Sequence, residues 1–179
     1  MSFPSLPLAV YPLGITLLTT SSMVYGNVGL SLVGPVPIIT ETLGQSTLSP
    51  KQKVRVWSLF FKAAAVPIVR GTLLNTVLFS LTAYLTPSSL VRRITIASAV
   101  SAFSILPWTV VMIQPTNKAL LAMDSKEEIT PAEEADVDSL IQQWNFLHKW
   151  RYVGYGGAWL GALAGFYMEL QRAGVGLAY

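Results

Sequence analysis

Four stretches of this chain stay apolar for long enough to cross a bilayer as helices, which takes about 20 residues each. They run from about residue 11 to 39, from 57 to 85, from 94 to 114 and from 150 to 170. The expected fold is all-α: an integral membrane four-helix bundle, with a short polar helical segment between helices three and four. One transmembrane domain is expected over residues 1–179. The composition points the same way. Hydrophobic residues make up 52% and charged residues 12%, against about 25% charged in a soluble domain. So few charges cannot cover a surface that faces water on all sides.

Residues 1–40 carry no charge, and no basic residue precedes Lys51. A cleavable signal peptide has a basic leader and a shorter apolar core, so the first stretch reads as a retained helix. Gly34, Pro35 and Pro37 are expected to end or kink it. Pro67 breaks the second stretch and Pro107 lies in the third, which stops near Pro115. Seven of the nine acids fall between Asp124 and Asp138. This run reads as a solvated helix, with Thr130 as N-cap and Pro131 in its first turn. Its spacing is not that of a calcium loop. Glu169 reads as a marker of the far membrane boundary.

Loop charges set orientation. Lys51, Lys53, Arg55, Lys118, Lys126, Lys149 and Arg151 fall on the side of loops 1–2 and 3–4, and Arg92, Arg93 and Arg172 on the other. Loops 1–2 and 3–4 are therefore expected in the cytoplasm. In a fungal host the membrane would be that of the endoplasmic reticulum, and in a bacterial host the plasma membrane. No Lys/Arg cluster lies along one face with aromatics between, so nucleic acid is not an expected partner. The bilayer is.

The chain has no cysteine and a single histidine, His148. That removes thiolate chemistry and any bis-histidine haem within one chain, and no metal site is expected. Gly157, Gly161 and Gly165 repeat at four-residue spacing, which lets another helix approach closely. The partner helix belongs to the bundle, or to a second copy in a homo-oligomer.

Polar groups at membrane depth are functional candidates. Topology alone gathers several at one end of the bundle. Trp57 enters helix two there, Asn117 leaves helix three, and Trp144, His148 and Arg151 enter helix four. The last three are spaced i, i+4, i+7 and form one helix stripe. The stripe joins an aromatic wall, a group titrating near neutrality and a fixed cation; an interfacial belt would have the same composition. Pro107 and Pro115 free the carbonyls of Phe103 and Val111. Asn117 is then a donor to a ligand oxygen or a helix cap. Arg70, deeper on helix two, faces a cavity or snorkels.

The run Leu106-Pro107-Trp108-Thr109, then Pro115-Thr116-Asn117-x-x-Leu120, then Trp144-Asn145-x-x-His148-x-x-Arg151 resembles the anthrone oxygenase family. These are small four-helix membrane proteins encoded with fungal polyketide synthases, with bacterial relatives. Trp57, Pro67 and Pro35 fit the same pattern. The resemblance implies oxidation of an anthrone to an anthraquinone, with O2 as co-substrate and no other cofactor. On that reading His148 is the general base. Asn117 and Arg151 stabilise an oxyanion or peroxide. Trp144 and Trp108 wall the ring system, and Trp57 and Asn145 complete the binding site; Arg70 is added to it from its depth on helix two alone, not from the resemblance. The alternative is a membrane scaffold or a binder of lipophilic ligands with the same fold. A small transporter would show inverted repeats, and no convincing repeat is present.

The absence of cysteine makes sidedness directly measurable. Single cysteines at Thr47 and at Glu127 are expected to react with an impermeant maleimide from the same side of sealed vesicles. Labelling from opposite sides would contradict the four-span topology.

Overall fold

The computed structural model describes residues 6–174. Among these the chain is helical throughout, with no strand. The elements are α1 (Val10–Val33), α2 (Pro35–Ile39), α3 (Pro50–Leu85), α4 (Ser89–Trp108), a π-helical segment (Thr109–Ile113), α5 (Gln114–Ser125), α6 (Pro131–Lys149) and α7 (Arg151–Arg172). Breaks at Gly34 and Trp150, and the π segment, subdivide what are otherwise four helical stretches. Three of these, Val10–Ile39, Pro50–Leu85 and Ser89–Ser125, are long and apolar enough to cross a membrane. The fourth, α6 with α7, is as long but less apolar, because α7 is diluted by glycines, tyrosines and Glu169.

Burial runs opposite to that of a water-soluble protein. Leu18, Val33, Val100, Val110 and Val153 are exposed, while Thr16, Thr20, Thr72, Asn75, Thr82, Thr95 and Ser98 are buried. Hydrocarbon offers no hydrogen bonds, so polar side chains turn inward and apolar ones outward. The threonines meet their need locally: Thr16, Thr20, Thr76, Thr82 and Thr95 each donate to the carbonyl four residues back. The chain is a membrane helical protein.

Two helix starts share one grammar. At α6 the Thr130 hydroxyl accepts from Glu133 N–H, the Glu133 carboxylate accepts from Thr130 N–H, and Pro131 opens the first turn. The Lys126 ammonium and the Thr130 N–H together hold Glu133 down to a pKa of about 2. At α3 Ser49 and Gln52 make the same reciprocal pair around Pro50. Each closes backbone donors that a helix leaves open. Gly34 ends α1 as expected, and Pro35 opens α2. Pro115 cannot donate to Val111, and the backbone between Pro107 and Pro115 widens into the π segment.

The chain divides into two compact units, and each draws on all four stretches. Among the described residues the first holds 6–24, 70–105 and 153–174. Its centre is Phe79, Ala102, Ala158 and Ala162. The glycine seam of α7 lies in this unit, and its neighbours are in the same chain. A Cβ at Gly157 would come within 2.6 Å of Ser101 Oγ, one at Gly161 would overlap Ser98 Oγ, and one at Gly165 would press on Leu13. At these three positions the seam is packed by residues of the same chain. Glu169 is fully buried rather than interfacial; it accepts from the Thr86 hydroxyl and pairs with Arg172 at 3.2 Å. Arg92 closes the end of α3 by donating to the carbonyls of Ala83 and Thr86.

The second unit holds residues 25–69 and 106–152. Its core joins Val36, Ile39, Val54, Trp57, Ile113, Leu120, Ile141 and Trp144. Lys51 donates to the carbonyls of Met123, Asp124 and Lys126 and so caps α5. The acidic run is less solvated than expected. The Asp124 side chain is nearly buried and accepts from Ser58, Lys62 and Arg55. Lys53, also buried, bridges Asp138 at 2.9 Å and Glu41 at 3.0 Å. Glu41 holds a left-handed φ of 58° to do so.

Gly161→Ala is expected to destabilise the protein by about 1–3 kcal/mol, the usual range for overpacking. Ser98→Ala in the same chain should recover much of that loss. Thermal unfolding of the two variants and the double variant in detergent checks the pair.

A candidate active site around His148

α6 carries Trp144 and His148 one turn apart on the face that α5 and the first turns of α3 cover. Both are buried, at 3% and 7% exposure. Their rings stack at 4.7 Å with 23° between planes. The Trp144 indole N–H donates to Asn117 Oδ1 at 2.9 Å, and Asn117 Nδ2 donates to Gln114 Oε1 at 3.3 Å. Asn117 reaches this position because α5 restarts at Gln114, just after the π segment. Backbone and side chain thus fix the edge of Trp144, and Trp144 fixes the face of His148.

Arg151 Nη1 stands 3.3 Å from His148 Nδ1. A guanidinium has only donors, so Nδ1 accepts and Nε2 carries the imidazole proton. Burial, and then the Arg151 charge, push the His148 pKa from 6.5 down to about 3. His148 is therefore neutral at physiological pH. It is a weaker base than the ordinary value near 6.5 suggests, and it gains strength only when a nearby anion offsets the charge it acquires.

Trp57 lies flat on Phe61 at 5.0 Å and meets Trp144 edge to face at 5.8 Å. Phe60 packs edge-on to Trp144 at 6.3 Å. Tyr152 meets His148 edge to face at 5.9 Å; its hydroxyl pairs with Ser31 and donates to the Asn27 carbonyl at 3.2 Å. Trp108 joins the edge of the cluster by donating to the Leu147 carbonyl at 3.1 Å.

Of the residues expected from sequence, Trp57, Asn117, Trp144, His148 and Arg151 come together, with Trp108 beside them. Asn145 does not join: one residue past Trp144, it falls about 100° round the helix and is half-buried. Arg70 is exposed and belongs to the first unit, not to this cluster. Asn117 accepts from Trp144 through its oxygen and donates to Gln114 through its nitrogen. Sequence reasoning passed over Phe61 and Tyr152. Each lies four residues after a chosen ring, Trp57 and His148, so extending the i, i+4 stripe would have found both.

The cluster is filled by its own rings. One cavity in the first unit, about 10 Å³ over water centres, is lined by Thr20, Met23, Thr72, Asn75 and Tyr155 among others. One in the second unit, about 70 Å³, is lined by Lys53, Glu41, Asp138 and Gln142. At roughly 10–15 Å³ per water, these take about one and a few waters, and His148 lines neither. Among the described residues no group of three or more His, Asp or Glu converges as metal ligands do.

The depressed His148 value has a measurable consequence. Between about pH 6.5 and 3 the unfolded chain binds a proton that the folded chain refuses. Stability is full above about pH 6.5, falls by about 1.4 kcal/mol per pH unit below it, and levels off near pH 3. His148→Phe, which keeps a flat ring on Trp144, should flatten that slope in unfolding measured against pH.

No curated protein and no solved structure matches the chain. A family model described as anthrone oxygenase matches residues 57–161, more than half of the sequence. The matched region takes in Trp57, Trp108, Asn117, Trp144, His148 and Arg151, the residues that this unit gathers from α3, α4, α5, α6 and the start of α7. The chain belongs to the anthrone oxygenase family.

Proposed function

We propose that this protein converts an anthrone to an anthraquinone with O2 and no other cofactor. The observation that carries the reading is the neutral, buried His148 held between the face of Trp144 and the cation of Arg151. Family membership supports it.

An anthrone has a weakly acidic methylene across its central ring from a carbonyl. His148 takes one methylene proton, and the charge left behind spreads onto the carbonyl oxygen. The basic lone pair is on Nδ1, where Arg151 now donates. As substrate binds, Arg151 turns from Nδ1 to the substrate oxygen. That motion frees the base and sets a cation beside the new anion, which together offset the cost of protonating a buried imidazole. The anion gives one electron to O2. Superoxide and the carbon radical combine at the former methylene, and the imidazolium protonates the peroxide. Loss of the second proton from that carbon breaks the O–O bond. The products are a second carbonyl and hydroxide, which becomes water. Anthrone plus O2 gives anthraquinone plus water, with no external reductant.

On this reading Trp144 and Trp108 wall the substrate, and Asn117 acts through Trp144 as a positioning residue. The closed packing of the ring cluster favours a second reading, a lipophilic-ligand binder or scaffold without turnover.

Membranes carrying the protein, incubated with emodin anthrone in air, are expected to form anthraquinone well above the spontaneous rate. His148→Ala should lower the enzymatic rate by about 10²-fold or more. A folded protein with no rate above background on several anthrones would overturn the oxygenase reading in favour of the binder.

A further inference from the structure

Trp57 is set apart from the other tryptophans by its unmet hydrogen-bond need. The indoles of Trp108, Trp144 and Trp159 donate to the Leu147 carbonyl, Asn117 Oδ1 and Ser21 Oγ, and Trp150 is exposed. Trp57 is fully buried, and its N–H meets no acceptor among the described residues. A buried donor without an acceptor is destabilising, whereas a phenyl ring would fill much of the same space without that cost. The surroundings are aromatic, with Phe61 parallel at 5.0 Å and Trp144 edge to face at 5.8 Å.

An indole N–H donates in the plane of its ring and accepts nothing. What satisfies Trp57 must therefore bring an oxygen acceptor edge-on into a site otherwise suited to flat rings. Trp57 touches Trp144, and Trp144 stacks on His148, so donor and base are two ring contacts apart. A fused-ring ketone carries its carbonyl oxygen at one end of the central ring and its reacting carbon at the other, and so offers a group to each. We infer that Trp57 donates to the carbonyl oxygen of the bound aromatic ketone, so that the site selects planar ketones over planar hydrocarbons of the same shape. The inference rests on the ring cluster being the substrate site of the proposed function. It adds a second donor, beside Arg151, to the oxygen on which charge develops.

The test uses full-length protein purified in detergent, with anthraquinone and anthracene as non-reacting probes. Wild-type protein should bind anthraquinone at least about tenfold more tightly than anthracene, a difference of about 1.4 kcal/mol. Trp57→Phe should bind the two alike, unfold at the same or a higher temperature, and lose about 10²-fold in kcat on emodin anthrone with a smaller change in KM. Ketone preference that survives in Trp57→Phe overturns the inference, and so does equal loss of both ligands with a lower unfolding temperature. Wild-type protein that binds neither probe also overturns it. A Trp57-dependent preference without anthrone turnover sustains the inference and defeats the oxygenase reading alone. If Trp57→Phe does not fold, the indole ¹⁵N–H resonance of Trp57 in wild-type protein carries the test. It should move downfield with anthraquinone and not with anthracene; no such movement overturns the inference.

Discussion

The hydrogen bond from Trp144 to Asn117 is the contact on which the site depends. It is buried, 2.9 Å long, and joins α6 to α5. Without it the indole would be free to rotate, and His148 would lose the flat surface that holds its ring. The bond exists because Asn117 arrives at the right height on α5, and that height is set upstream. Two prolines eight residues apart bracket a π segment, which shifts the register of all that follows. An irregularity in the backbone thus becomes the position of one amide.

The same cluster shows how burial changes chemistry. An exposed imidazole would titrate near neutrality. Here burial and Arg151 keep it neutral far into acid. A base of this kind is inert toward water and responds to a ligand that becomes an anion as it loses a proton. On the proposed function, Arg151 weakens the resting base and stabilises the product of proton transfer, so its cost and its benefit fall at different moments of that reaction. Beyond Trp144, which stacks on His148, the rings of Trp57, Phe60 and Phe61 continue the aromatic packing.

Much of this was legible in the sequence because it follows from local rules. Apolar length marks four stretches, three of which form helices long and apolar enough to cross a membrane, Thr130-Pro131 marks the start of α6, and Gly34-Pro35 marks the end of α1. The i, i+4 spacing of Trp144 and His148 puts them on one face whatever they pack against. Other features were hidden because they rest on partners far along the chain. Asp124 looked like one of seven solvated acids, yet Arg55, Ser58 and Lys62 surround it. Glu169 looked interfacial, yet Thr86 and Arg172 hold it inside. Arg70 was a candidate because depth on a helix can be counted, whereas the direction in which a side chain faces depends on the neighbouring helices.

The amino-acid sequence alone marked the apolar character, the four helical stretches and several of their ends, though not the π segment or the run of α3 through Pro67. Those depend on composition, period and capping, which act over a few residues. Only the tertiary structure decided which polar groups satisfy one another. Asn117 was spent on Trp144, the glycine seam on Ser98 and Ser101, and Nδ1 of His148 on Arg151, while Trp57 was left with an open donor. The physical reason is that a hydrogen bond in a low-dielectric interior needs its partner within about 3 Å and well aligned. No pattern in one segment reports what another segment brings to that distance.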